Sequence, residues 1–269
     1  ARCGVCGLHV DLLVVLQVVA LKKLHCTQPD IPHYHYCSGV DTSLVVVDNG
    51  APSGIAQITV DAAGQNWIAI VPGANGRCGQ EELGRVSDAL GRVDVLLLQL
   101  EIPLEISLAA AQIAKDMGKR VILDPAPMVD LPDGIASLFD FIIPNEVEAS
   151  ELVGFTVSDV ESAKRAARHL RQQGFEGVVI KLGEQGCYYA TEQEEGHLPG
   201  FPIDVVDTVA AGDAFNGAFS VALVEGKAVA EAVSWGNAAG ALSVSRRGAQ
   251  ASMPTREETE TLLEQRFAS

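Results

Sequence analysis

A chain of 269 residues and 28.4 kDa, 48% of them hydrophobic, is long enough to bury a sizeable core without disulfide or metal staples. Its formal net charge of −16 and pI near 4.7 argue against a nucleic acid or an anionic membrane surface as partner, since both need a basic face, so any phosphate ligand has to be held locally by backbone N–H groups and a metal ion. The six scattered cysteines (Cys3, Cys6, Cys26, Cys37, Cys78, Cys187) are too few for a disulfide framework and point to a cytoplasmic or organellar protein.

The apolar run Val10 to Ala20 is broken by Asp11 and Gln17 and closes on Lys22-Lys23, too short to span a bilayer and with its positive charges on the wrong side for a secretory signal. Cys3-x-x-Cys6, followed by His25, Cys26, His33, His35 and Cys37, invites a zinc reading. Only the first pair has ligand spacing, and the alternative is a segment that carries thiols without a metal. From Gly39 onward strand-like and helix-like segments alternate with no Ser/Pro-rich linker, as in one continuous domain. Ser53 to Val60 and Gln65 to Val71 form a hairpin across Asp61-Ala62-Ala63-Gly64. Val93 to Leu100 is almost wholly apolar, as a strand covered on both faces has to be, and it ends on the carboxylate Glu101.

A helix from Leu104 to Met117 stops at Gly118 and hands over to the strand Arg120 to Leu123. Phe141 to Ile143 is a strand and Asn145 to Val153 a helix. Ser158 and Glu161 have capping-box spacing and open a helix running to about Gln173, where Gly174 ends it. Val178 to Leu182 is a buried strand and Tyr188 to Ala190 a short one. After Val205-Val206 a glycine-containing turn leads into the apolar helix Asp213 to Val224, then a second, Ala228 to Val244. Thr255 and Glu258 repeat the capping-box spacing and start the last helix. This alternation predicts an α/β fold with a largely parallel sheet and ligands at the carboxyl ends of its strands.

The stretch Asp207-Thr208-Val209-Ala210-Ala211-Gly212-Asp213-Ala214-Phe215 carries the chemistry. Small residues leave the backbone bare where a strand turns into a helix, so N–H groups and the positive helix end face an anion. Asp213, in the first helical turn, is a base for an attacking hydroxyl or simply an N-cap carboxylate. No G-x-x-x-x-G-K-[ST] and no G-x-G-x-x-G after a strand occurs, which excludes a P-loop enzyme and counts against a nicotinamide dehydrogenase.

Asp207 to Asp213 resembles the D-T-x-x-A-G-D signature of the ribokinase (PfkB-type) carbohydrate kinases. Val71-Pro72-Gly73-Ala74-Asn75, Leu98-Gln99-Leu100-Glu101, Leu123-Asp124-Pro125-Ala126-Pro127, Pro144-Asn145-Glu146-Val147-Glu148 and Arg247-Gly248-Ala249-Gln250-Ala251-Ser252 resemble further blocks, in family order, and the similarity runs from Gly39 to about Thr259. The resemblance implies a three-layer, doubly wound, mostly parallel sheet with a small β lid. It implies Asp213 as catalytic base and the backbone of Ala210, Ala211 and Gly212 as the anion hole. Asn145 and Glu148 match the N-x-x-E motif that positions Mg2+ and the nucleotide phosphates, largely through water. Lys181, Leu182, Gly183, Glu184, Gln185 and Gly186 correspond to the loop that embraces ATP, although many relatives carry threonine at the place of Lys181; Asn237 corresponds to a position beside the adenine. Glu101 matches a carboxylate on the sugar hydroxyls. Asp207, Val209, Ser243, Arg246, Gly248 and Ser252 align with the loops that hold K+, an activator.

Residues 1–38 depart from the family and are read as a divergent segment ahead of a kinase domain at 39–269. Gly7 to Leu12 resembles the family's first strand, with His9 in the place of an asparagine and Asp11 in that of a sugar-binding aspartate. The chain contains no Gly-Gly dipeptide, so the glycine run of the sugar site is absent and the lid is expected to be incomplete. The L-Q-L-E and R-x-G-A-Q blocks favour ATP-dependent phosphorylation of D-ribose at its 5-hydroxyl over fructose, nucleoside or phosphosugar chemistry. The alternatives are an impaired nucleotide-binding relative and a zinc-bearing amino-terminal module on a kinase-like scaffold. ATP and a small sugar are the implied partners, and because family dimers pair through the lid, a homodimer stays open.

Overall fold

The computed structural model describes residue 41, residues 43–60 and 66–267, and three short strands nearer the amino terminus. The strands are β1 (Arg2–Cys3), β2 (Leu8–His9), β3 (Leu13–Leu16), β4 (Ile55–Val60), β5 (Asn66–Val71), β6 (Val95–Leu98), β7 (Arg120–Leu123), β8 (Phe141–Ile142), β9 (Val178–Lys181), β10 (Cys187–Ala190) and β11 (Glu195–Leu198). The helices are α1 (Gln80–Leu90), α2 (Leu104–Asp116), α3 (Glu146–Val153), α4 (Val160–Gln172), α5 (Ala211–Val224), α6 (Val229–Val244) and α7 (Arg256–Phe267). Seven strands form one sheet in the order β11-β10-β9-β8-β7-β6-β3. Pairing is parallel from β3 to β9 and antiparallel at β10 and β11. β4 and β5 make a separate antiparallel hairpin.

Helices on both faces explain why β6 is buried along its whole length. Because side chains alternate across a strand, Leu96 and Leu98 join Val121, Leu123, Val178 and Ile180 under α1 to α4. Val95, Leu97, Ile122 and Val179 face the other way, onto Phe215 and Phe219 of α5 and Trp235 of α6. Burying Phe219 completely stabilises this layer by roughly 2–3 kcal/mol. α5 is apolar on every side because it lies between the sheet and α6. The approach of the two helices is close enough that a Cβ on Gly236 would sit 2.6 Å from the Phe215 ring. The result is the three-layer α/β architecture expected.

Several expectations are corrected in detail. The strand beside β6 is β3, whereas Leu8–His9 pairs with Arg2–Cys3 in a two-stranded ribbon, so His9 does not stand in the main sheet. Thus part of the segment set apart ahead of residue 39 supplies an edge strand. The helix after β8 and α3 is capped by Asp159, which accepts from Ser162 N–H at 2.7 Å while Ser162 Oγ accepts from Asp159 N–H at 3.0 Å. The Ser158 and Glu161 pair is displaced by one residue because the short Asp carboxylate reaches its N3 partner directly. At α7 the predicted cap stands: Glu258 accepts from Thr255 N–H at 2.7 Å. Helix α1 and strand β11 had no sequence expectation.

Candidate active site

Parallel strands deliver side chains to one edge of the sheet, where their carboxyl ends converge. Gln99 and Glu101 follow β6, Asp124 follows β7, Asn145 follows β8, and Lys181 closes β9. A bridge between Asn145 and Lys181 extends the pairing of β8 and β9 and sets the two side by side. Asp124 is buried and accepts from Lys181 Nζ at 3.0 Å, from Asn216 Nδ2 at 2.7 Å and from Gln99 Nε2 at 3.3 Å. Burial alone would depress the Lys181 ammonium, but Asp124 and then Glu148 outweigh it and hold it above the usual lysine range.

Helix α5 starts at this edge. Ala210 precedes it with φ +63°, a left-handed conformation that a non-glycine residue adopts only when its surroundings enforce it. The N–H of Ala211 is taken by the Thr208 carbonyl at 3.3 Å and that of Ala214 by Ala210 at 3.0 Å. Of the expected anion hole, Ala211 is thereby diverted inward, leaving Gly212 and Asp213 as the first-turn donors without a backbone acceptor among the described residues. A Cβ built on Gly212 would lie 3.6 Å from Lys181 Nζ, so the ammonium stands beside these donors. Asp213 accepts from Gln99 Nε2 at 3.3 Å. Asp213 is an exposed residue, yet loss of hydration around its carboxyl at the sheet edge, then the charges of Asp124 and Glu101, raise that carboxyl above the usual aspartate range against the pull of Lys181.

Asn145 caps α3 through Oδ1, which accepts from the N–H groups of Val147 and Glu148 at 2.9 Å each. Glu148 returns the box: Oε2 accepts from Asn145 N–H and Oε1 from Asn145 Nδ2, both at 2.8 Å. Burial pushes the Glu148 carboxyl up to about 7. The turn Gly183–Gln185 is pinned between Ser158, whose carbonyl accepts from Gln185 Nε2 at 3.0 Å, and His197 of β11, whose Nε2 lies 2.7 Å from the Gln185 carbonyl oxygen. Gly186 has φ +87°, and a Cβ there would stand 2.1 Å from the Leu198 carbonyl oxygen. Leu182 is buried beneath the turn, while Gly183, Glu184 and Gln185 are exposed. Asn237 is buried behind them; it accepts from Cys187 Sγ at 3.0 Å and donates to the Leu198 carbonyl at 3.3 Å. Burial pushes that thiol up to about 12.

The six residues aligned with the cation loops fall into two hydrogen-bonded groups, Asp207 with Val209 and Gly248, and Ser243 with Arg246 and Ser252. Asp207 accepts from Val209 N–H at 3.1 Å and Gly248 N–H at 2.9 Å, which hold its carboxyl below the usual range. The buried hydroxyls of Ser243 and Ser252 lie 3.0 Å apart. Arg246 N–H donates to the Ser243 carbonyl at 3.1 Å, and its guanidinium grips Glu258 at 2.6 Å. Among the described residues no group of three or more His, Cys, Asp or Glu side chains is placed to hold a metal ion. Asp11 and the candidate zinc ligands Cys6, His25, Cys26, His33, His35 and Cys37 lie outside the described residues.

Residues 37–256 match the model of the pfkB family carbohydrate kinases. This chain belongs to that family. It is 41% identical over 226 residues to the ribokinase of Haemophilus influenzae, covering 84% of this chain and 74% of that one. To the deoxyribokinase of Salmonella typhimurium it is 35% identical over 221 residues, covering 82% and 72%. The crystal structure of ribokinase from Thermotoga maritima superposes with a TM-score of 0.74 at 40% identity over 87% of this chain and 76% of that one. The structure of Arabidopsis thaliana ribokinase complexed with ribose and ATP gives 0.76 at 34% identity over 84% and 74%. A pfkB kinase is a phosphotransferase acting on a small sugar or nucleoside, and no described helix is long and apolar enough to cross a membrane.

Within this pfkB kinase, the residues that sequence reasoning left without a role are Gln99, Asp124, Asn216 and Cys187. Two of them carried a signal. Asp124 is a carboxylate directly after the apolar run Val121-Ile122-Leu123, and Asn216 is a polar side chain on a mostly apolar helix, one turn after Asp213.

Proposed function

We propose that this kinase transfers the γ-phosphoryl group of ATP to the 5-hydroxyl of D-ribose. The observation that carries the reading is the meeting, at one sheet edge, of a raised carboxylate, Asp213, with first-turn N–H groups and the Lys181 ammonium beside Gly212. Asp213 takes the proton of the attacking hydroxyl, and its raised basicity suits that task. The N–H groups of Gly212 and Asp213 and the ammonium of Lys181 meet the charge on the transferred group. Glu101, partly exposed after β6, orients the sugar hydroxyls. Asn145 and Glu148 would hold Mg2+ through water, which fits a pair whose oxygens already accept from each other's N–H groups; the ion would neutralise phosphate charge when bound. The loops of Asp207, Val209, Ser243, Arg246, Gly248 and Ser252 fit K+ held by carbonyl and hydroxyl oxygens, ordering the turn ahead of α5. Ribose is chosen over other acceptors on the names of the relatives and on the L-Q-L-E block. Coupled measurement of ADP release with ribose, 2-deoxyribose, fructose and adenosine tests the choice; a preference for any acceptor other than ribose overturns it.

A second reading is a nucleotide-binding relative that turns over sugar poorly. It is favoured by β3, whose carboxyl end at Leu16 is followed in sequence by Gln17-Val18-Val19-Ala20-Leu21 rather than by an asparagine or aspartate, and by the missing Gly-Gly run. Each sugar hydroxyl left unpaired costs roughly 1–3 kcal/mol. ATP affinity by calorimetry beside ribose-dependent ADP release separates the readings: sound nucleotide binding with little turnover supports the second.

A further inference from the structure

Asp124 does more than neutralise a lysine. It is 3% exposed and collects three donors from three elements: Lys181 Nζ on Oδ1, and Asn216 Nδ2 and Gln99 Nε2 on Oδ2. Gln99 Nε2 carries two hydrogens, and the second goes to Asp213 Oδ1 at 3.3 Å. A continuous chain therefore runs from the ammonium beside Gly212, through Asp124 and Gln99, to the carboxylate at the start of α5.

The arrangement comes at the expense of two other bonds. Gln99 Oε1 and Asn216 Oδ1 are buried and have no hydrogen-bond partner among the described residues. Both amides turn their NH2 ends to carboxylates and leave their carbonyl ends unmet. Buried acceptors in that state call for an explanation, and a network built only for stability would avoid them. A buried ion pair is likewise a poor source of net stability, since desolvation offsets its attraction.

We propose that Asp124 and Gln99 are positioning residues that register the acceptor-side base, Asp213, against the phosphate-side ammonium, Lys181, so that the arrival of nucleotide is felt at the base. The inference rests on the phosphoryl-transfer reading of this site. An ammonium has three donors, and only one is used on Asp124. A phosphate beside Gly212 shares the ammonium. Asp124 then keeps less positive charge, draws Gln99 Nε2 more strongly and loosens the bond from Gln99 to Asp213. The base is freed to accept a hydroxyl hydrogen when a phosphoryl donor is in place, and is held by Gln99 when the site is empty.

The test is carboxyl carbon NMR on the full chain with 13C-labelled aspartate, the Asp213 resonance being assigned by its loss in Asp213→Asn. A magnesium-loaded, non-hydrolysable ATP analogue is titrated in, with its affinity measured in parallel by calorimetry. Gln99→Met keeps the side-chain volume but removes both hydrogen bonds. Expected is a nucleotide-dependent shift of Asp213 in the parent that becomes much smaller in Gln99→Met, although the analogue still binds. Lys181→Thr provides a second route should Gln99→Met fold poorly: the resonances of Asp124 and Asp213, which respond together in the parent, lose their common response. A Gln99→Met protein that binds the analogue and shows the parent's full shift overturns the proposal, as does an undiminished joint response in Lys181→Thr. If the parent does not bind the analogue at all, the nucleotide-site reading falls and this inference with it, an outcome that calorimetry alone distinguishes from failure of the coupling.

Discussion

Glu148 makes the stability of this kinase depend on pH in a direction that can be worked out. Burial raises its carboxyl from an ordinary value near 4.5 to about 7, although Lys181 and the Asn145 N–H pull the other way. Between those two values the folded protein holds a proton that the unfolded chain has released, so stability falls as pH rises through the interval and is flat above it. At about 1.36 kcal/mol per pH unit the upper bound is roughly 3 kcal/mol, and the partial exposure of the side chain reduces this to about 1–2 kcal/mol. For a chain of this size that corresponds to roughly 2–8 °C in Tm. Calorimetric melts of the parent and Glu148→Gln at pH 5 and pH 8, without nucleotide, isolate the effect because other titrations cancel in the difference. The parent is expected to lose ground to the variant at pH 8. Magnesium with ATP should restore part of the loss, since a cation favours the charged carboxylate. An unchanged gap between the two proteins at the two pH values would refute the assignment of a buried, proton-holding Glu148.

Asp213→Asn is expected to lower phosphoryl transfer by about 10²- to 10⁴-fold, the usual effect of removing a general base, with ATP affinity by calorimetry nearly unchanged; a variant keeping more than half the parent rate contradicts the role. Potassium should raise activity, or the nucleotide-dependent gain in Tm, above sodium at equal ionic strength, and coincident titrations in the two salts count against the cation loops. Gly186→Ala places a Cβ against the Leu198 carbonyl in a backbone with φ +87°, so the loop before it has to move. The strain alone is worth about 1–3 kcal/mol, and both Tm and ATP affinity should fall; a protein with parental values of both would show that the turn tolerates a side chain.

The periodic elements were readable because their burial is written locally. β6 is four apolar residues covered on both faces, and α5 is apolar all round, so burial and sequence agree without reference to anything distant. Cap positions were readable to within one residue. At α7 the Thr255 and Glu258 spacing holds, whereas at α4 a closer carboxylate, Asp159, displaces the pair read from Ser158. Neighbouring caps of similar chemistry compete on geometry that sequence spacing does not encode. The first strand was misplaced for a related reason. A motif match drew attention to Gly7 to Leu12, but what the sheet requires beside β6 is an uninterrupted apolar run, and Leu13-Val14-Val15-Leu16 provides it.

The site divides along the same line. Asn145 and Glu148 form a capping box three positions apart and Asp213 sits in a short run of small residues, and each was named from the chain alone. The Lys181 and Asp124 pair spans 57 residues, and the Gln99 bond to Asp213 spans 114. No local pattern reports such pairings, because they exist only once parallel strands bring their carboxyl ends to one edge. A substitution at a motif residue changes one group, whereas a substitution at Asp124 leaves an ammonium and two amides without their acceptor at once. By calorimetric Tm, Asp124→Leu should therefore be less stable than the pair Asp124→Leu with Lys181→Thr, in which the uncompensated buried charge is gone as well, and equal melting of the two would refute the pairing.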